Sequence, residues 1–162
     1  MTSTATDRRS LVTCRAGGER FALDVARVER VLRYTAPRTL PNSAPWLRGV
    51  INVGDQLVPV LDLRERLGLA AAAPEASSRI LVLVVEQGRI GFVVDAVDEV
   101  LGVDPQAIEA TPEVYRGLAR AFVAGVLRRE QDVFIVLEPN QLVTSQERLT
   151  LTAAVEDLFF GR

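Results

Sequence analysis

The sequence predicts a mainly β protein: two small five-stranded β-barrels related by an internal pseudo-repeat, with short connecting helices and a C-terminal helix. Three observations lead there. The stretch from Ala44 to Leu69, APWLRGVINVGDQLVPVLDLRERLGL, puts two apolar strands, a two-residue turn and a helix start into one short unit. Valine-rich blocks recur at offsets of 69 and then 76 residues. The 162 residues are 48% hydrophobic and 25% charged, enough for a buried core, and no run approaches the ~18 apolar residues of a membrane span.

Residues 1–10, MTSTATDRRS, lack the apolar core of a signal peptide and read as a polar, mobile tail, which points to a cytoplasmic location. Leu11 to Ala16 and Arg20 to Leu23 flank Gly17-Gly18 as a first hairpin. The segment VARVERVLRY spaces Val25, Val28, Val31 and Leu32 either as a short helix or as a turn followed by a strand. Pro37 and Pro41 then hold the chain extended.

In the central unit, Leu47 to Val53 alternates as a strand, and Gly54-Asp55 supplies the positive φ of a type II′ turn into Leu57 to Leu61. Pro59 cannot donate to a ladder, so a free edge or bulge is expected there. Leu63 to Leu67 begins a helical turn that Gly68 ends, and AAAAPEASS reads as an exposed linker. Arg79 to Glu86 and Arg89 to Val94 form the next hairpin, turning at Gln87-Gly88. Thr144 to Glu147 is a capping-box pattern, followed by Leu151, Val155, Leu158 and Phe159 at helical spacing. The barrels are therefore expected over roughly 11–70 and 79–143, with the helix over 145–160.

The repeat can be counted. At an offset of 69, Arg20 to Leu23 aligns with Arg89 to Phe92, Val28 with Val97, Val31 with Val100 and Leu32 with Leu101. At 76, Gly49-Val50 aligns with Gly125-Val126, Val60-Leu61 with Val136-Leu137 and Asp62 with Glu138. The difference implies an insertion in the polar segment from Asp104 to Arg120.

Much chemistry is missing. No histidine is present, which removes the commonest general base and metal ligand. Cys14 stands alone in an apolar strand, and its expected role is packing. Asp95, Asp98 and Glu99 do not have the spacing of a calcium loop and read as a solvated face. Phosphate-binding and nucleophile-elbow motifs are absent. All the basic residues are arginines, scattered along a chain of net charge −2, without the basic stripe of a nucleic-acid binder. No cofactor, metal or catalytic residue is expected, and binding is the function left over.

The pattern P-x-x-x-G-V-I-N-x-x-x-x-x-V-P-V-x-D-L-R, from Pro45 to Arg64, resembles the CheW family of chemotaxis coupling proteins. The resemblance runs on through RIGFVVDAVDEVLGV to GVLRREQDVFIVLEPNQL. It implies SH3-like barrels that join the cytoplasmic tip of methyl-accepting chemoreceptors to the regulatory domain of a CheA-like histidine kinase, with other CheW-like subunits as further partners. Nucleic acid and direct membrane insertion are not implied. Carried over by position, Val28, Ile80, Val97 and Val100 resemble the receptor-facing groove, and Leu57 part of the kinase-facing surface. Ordinary core packing is the competing reading for each of them.

One departure is local. The family usually has arginine then glycine where this chain has Gly54 and Asp55, and commonly glutamate at the position of Arg30. The signs are exchanged, and an Arg30 to Asp55 pair of reversed polarity, altering partner choice, is the expectation. Against the coupling adaptor stand a structural or sequestering array subunit that does not activate the kinase, and an enzyme or small-molecule binder with a deep pocket of converging acids and arginines.

Overall fold

The branched, apolar runs fold as hairpins, and the hairpins are dealt out between two sheets. The computed structural model describes residues 8–41, 44–86, 88–110, 120–144 and 147. Its strands are β1 (Arg9–Ala16), β2 (Glu19–Asp24), β3 (Val28–Arg33), β4 (Leu47–Val53), β5 (Gln56–Asp62), β6 (Arg79–Val85), β7 (Gly88–Val94), β8 (Ala96–Val103), β9 (Ile108–Glu109), β10 (Val123–Arg129) and β11 (Asp132–Leu137). A single helical turn, α1 (Leu63–Arg66), follows β5. One sheet has the order β8-β1-β2-β11-β10-β9 and the other β3-β6-β7-β5-β4.

The expected division into one barrel over roughly 11–70 and another over roughly 79–143 is not how the sheets are built. Each sheet takes strands from both halves, because the antiparallel hairpins are joined by parallel pairs that cross the halves. Ala22 of β2 lies beside Val136 of β11, and Gly91 of β7 beside Val60 of β5. The repeat itself is visible in the register. Cys14 opposite Phe21 in one hairpin corresponds to Leu83 opposite Ile90, and Ile51 opposite Val58 corresponds to Leu127 opposite Phe134. Even the bulges agree, between Leu47 and Gly49 in β4 and between Val123 and Gly125 in β10.

Glycine is required at that bulge. A Cβ on Gly49, whose φ is +149°, would lie 2.3 Å from the Arg38 carbonyl oxygen, and one on Gly125 would lie 2.6 Å from that of Glu109. The close approach lets Val50 exchange hydrogen bonds of 2.8 and 2.9 Å with Arg38. Val50 is thereby turned away from Pro59 opposite it, and the parallel ladder begins only at Val60, so the missing N–H of Pro59 leaves no gap.

Three clusters fill the interior. Phe21, Leu23, Leu61, Leu81, Leu83, Phe92, Ile135 and Leu137 pack between the sheets. Leu11, Ala22, Leu101, Val103, Leu127, Phe134 and Val136 line the inside of the first sheet, and Ile51, Val53, Val58, Val60, Ile80 and Val82 that of the second. The central strands are thus buried on both faces, which is why FIVL and RILVLVV read as continuous apolar runs. Each buried Val, Leu, Ile or Phe among them contributes about 1.5–3 kcal/mol.

Asp24 accepts a hydrogen bond from the Ala26 N–H and caps a single 3-10 turn, Val25–Arg27, after which the chain enters β3; turn-then-strand is the conformation adopted. Gly88 already pairs with Val85 in β7 instead of forming the turn, and Gln87 lies outside the described residues. Ala71 to Ser77 are exposed, as a linker should be. Thr144 and Glu147 exchange the reciprocal bonds of a capping box, 2.9 and 3.1 Å, while the remainder of the helix expected over 145–160 lies outside the described residues. No helix among the described residues is long and apolar enough to cross a membrane.

Candidate partner-binding surface

The two sheets expose equivalent edge strands, β3 and β8, which carry three of the residues expected to face a receptor, Val28, Val97 and Val100. Each edge carries a bulge. Opposite Thr13 of β1, β8 inserts both Asp98 and Glu99, and the Thr13 hydroxyl fills the gap by donating to the Glu99 carbonyl at 3.0 Å and accepting from its N–H at 3.1 Å. In β3 the extra residue is Glu29, between Val28 and Arg30. A bulge makes successive side chains point outward. Glu29, Arg30 and Val31 are all exposed, as are Asp98, Glu99 and Val100.

Val100 is 59% exposed and its repeat partner Val31 45%. Val28 and Val97, also equivalent, are half-buried and pack on the rim of the cluster between the sheets. Each edge thus carries a half-buried valine on that cluster and, three residues along, an exposed one. Ile80 is different. It is fully buried in the second sheet's interior, so it supports β3 from beneath and is not itself a contact surface. Val31 was not among the expected residues, although the 69-residue offset from Val100 pairs the two.

The β4–β5 turn is as the sequence requires. Gly54 has φ +61°, and the one described non-glycine residue with positive φ is Glu130, so Asp55 has negative φ and the turn is type II′. Leu57 is half-buried against the central cluster. The expected Arg30 to Asp55 pair does not form among the described residues. β6 and β7 stand between β3 and β5, so the two residues are three strand spacings apart, roughly 14 Å along the sheet. Arg89 of β7 makes the connection instead, pairing with Glu29 at 2.8 Å and hydrogen-bonding Gln56 beside the turn. Arg89 carried no signal in sequence because its reach across two strands depends on strand order.

A cavity of about 260 Å³ is lined by Tyr34, Arg48, Asp62, Arg64, Ser78 and Asp95 among others. Its charges are committed to each other. Arg64 is bidentate to Asp95 at 2.5 and 2.9 Å, and Asp95 also accepts from the Gly17 N–H at 2.9 Å. Partial burial alone would push the Asp95 carboxyl up, but the Arg64 and Gly17 hydrogen bonds outweigh it and hold it below the usual carboxylate range. Arg48 meets Glu65 at 3.1 Å and Asp62 at 3.6 Å, and Asp62 caps α1 by accepting from the Arg64 N–H. A free acid poised against a free base is not part of this arrangement.

Asp98 pairs with Arg15 at 3.0 Å, and among the described residues no cluster of three or more His, Cys, Asp or Glu could hold a metal ion. Cys14 is buried, and burial, with Asp98 and Asp95 adding to it, pushes its thiol up to about 12. It is an inert packing residue.

Comparison with known proteins agrees with this architecture. The family described as CheW-like domain matches residues 10–147. The chain is 32% identical over 139 residues to the probable chemotaxis protein CheW of Rhizobium etli, covering 86% of this chain and 90% of that one. It is 31% identical over 140 residues to the chemotaxis protein CheW of Rhizobium meliloti, with the same coverage of 86% and 90%. Among solved structures, the scaffolding protein TtCheW from Thermoanaerobacter tengcongensis superposes with a TM-score of 0.79 at 27% identity, covering 86% of this chain and 90% of that one. Sequence, sheet topology and these matches converge: the chain belongs to the CheW family.

Proposed function

We propose that this protein is a non-catalytic adaptor that couples chemoreceptors to a histidine kinase in a cytoplasmic chemosensory array. The observation that carries it is the pair of equivalent apolar edges, half-buried Val28 with exposed Val31 on β3 and half-buried Val97 with exposed Val100 on β8. Such an edge suits the apolar face of a receptor helix. The relatives' names as chemotaxis proteins and the neighbour's title as a scaffolding protein point the same way. In this reading Val28, Val97 and Val100 meet the receptor tip, with Ile80 holding the strand behind them. Arg30, Gly54, Asp55 and Leu57 belong to the surface that selects the kinase.

Partner choice is the finer part of the proposal. Arg30 has no carboxylate partner among the described residues, and the turn presents Gly54 and Asp55 where the family usually presents arginine and glycine. An exposed charge of reversed sign changes which partners are tolerated more than it changes stability. The same feature favours a second reading, a subunit that occupies array positions without activating the kinase.

Reconstitution separates the two. The chain, a receptor tip and the kinase encoded alongside it are combined and kinase autophosphorylation is measured. A several-fold rise that requires the chain supports coupling. Receptor binding with unchanged autophosphorylation selects the second reading, and binding to neither component rejects both.

A further inference from the structure

We propose that Arg8, Arg128 and Arg129 form a binding site for a phosphate-class oxyanion around Gly102, at the far end of β8. Arg8 Nη2 and Arg129 Nη1 both donate to the carbonyl oxygen of Gly102, at 2.6 and 3.3 Å. Two guanidinium nitrogens thus stand within about 6 Å of each other on a neutral acceptor, a separation at which like charges repel. Neither arginine has a carboxylate partner among the described residues. Arg128, beside them, pairs with Glu109 at 3.2 Å, but the two side chains are 63% and 49% exposed, so the pair is weak and easily rearranged.

Between the three arginines lies a cavity of about 180 Å³, floored by Val103, Ala107 and Leu127. Asp104 also borders it, with its carboxylate engaged in capping the 3-10 turn Pro105–Ala107 through the Gln106 N–H at 2.9 Å. A Cβ on Gly102 would make only ordinary contact with the Arg8 guanidinium, at 3.4 Å from Nη2. Guanidinium groups converging on a shallow bowl match the several acceptor oxygens of a phosphate group.

The internal repeat serves as a control. At the corresponding place in the other half of the chain, Arg8, Arg128 and Arg129 are replaced by Ser77, Asn52 and Val53. Because that half builds the same strands in the same register, the arginine cluster is not a requirement of the fold. The site lies two residues from Val100 on the same strand, so an occupant there would touch the edge that carries the proposed receptor surface. Its existence does not depend on the adaptor reading.

The test is a calorimetric titration of the full chain with inorganic pyrophosphate at constant ionic strength, together with co-sedimentation on phosphatidylcholine vesicles with and without phosphatidylglycerol. Arg8→Gln and Arg129→Gln are compared with Arg20→Gln, an exposed arginine elsewhere that pairs with Asp132. Circular dichroism verifies that each variant is folded. Saturable pyrophosphate binding, weakened about tenfold by either site variant and unchanged in Arg20→Gln, supports the site and a soluble phosphate as its ligand. Binding to phosphatidylglycerol vesicles with the same variant pattern supports the site and a lipid headgroup. No saturable binding in either arm, or binding that both site variants retain, overturns it.

Discussion

Gly54 and Glu130 hold the same position in the two halves of the chain and share one backbone conformation, φ +61° and +58°. Both are the first residue of a two-residue hairpin turn, between β4 and β5 and between β10 and β11. Glycine adopts it freely, whereas glutamate is strained there. Glu130→Gly is therefore expected to stabilise the protein by about 0.5–1 kcal/mol, read as a higher urea midpoint at constant slope. Gly54→Arg should cost about 1 kcal/mol alone. Adding Asp55→Gly moves the flexible position along by one and should recover much of that loss; a double variant no better than the single would contradict the assigned turn geometry.

Arg64 and Asp95 tie α1 to the β1–β2 turn through Gly17, and so tie one sheet to the other. At the corresponding place in the other half, Asn140 accepts the Glu86 N–H at 2.9 Å. Removing Arg64 leaves a partly buried carboxylate without its main partner, and Arg64→Ala should cost about 1–3 kcal/mol.

Because the Asp95 carboxyl is held below its unfolded value, its contribution is present above pH ~4 and fades as the pH falls through the lower folded value. Acid unfolding profiles should show this. Asp95→Asn is expected to be less stable at neutral pH and to lose less on acidification than the parent chain. Parallel profiles would mean that Asp95 does not contribute in this way.

Arg66 closes a second tie. Its guanidinium lies 5.1 Å from the centre of the Phe122 ring and is bidentate to Glu147 at 2.7 and 2.8 Å, with the two side chains 13% and 19% exposed. Partial burial would raise the Glu147 carboxyl, but the Thr144 N–H and Arg66 bring it below the usual range. A double-mutant cycle between Arg66→Ala and Glu147→Ala should return a coupling of about 1–3 kcal/mol. A coupling near zero would mean that the pair is dispensable.

Val100 and Ile80 should behave in opposite ways. Ile80→Ala is expected to cost about 2–5 kcal/mol, since the side chain is fully buried and its Cγ2 lies only 3.0 Å from where a Cβ on Gly91 would sit. Val100→Asp should change stability by less than about 0.5 kcal/mol yet abolish receptor-tip binding, because Val100 is 59% exposed. Retained binding with normal stability would remove β8 from the receptor surface.

The hairpins, the repeat and its two offsets were legible because each is carried by local spacing: Gly54 in its turn, Asp62 matching Glu138, Val28 matching Val97. The exchange of strands between halves was not. Parallel pairs such as Val60 beside Gly91 join residues far apart in sequence and leave no turn signal. Exposure failed for a related reason, since Ile80 and Val100 are both branched apolar residues and the edge position and bulge of β8 decide which of them meets solvent. The Arg30 to Asp55 expectation failed because two intervening strands could not be counted before the sheet order was known.

The crossed pairing has a mechanical outcome. A cut anywhere in the exposed alanine stretch after Leu69 would yield two fragments, each lacking strands that both sheets need. Neither piece can mature by itself, and only their recombination restores a working molecule, which makes this linker a natural split point for a conditional switch.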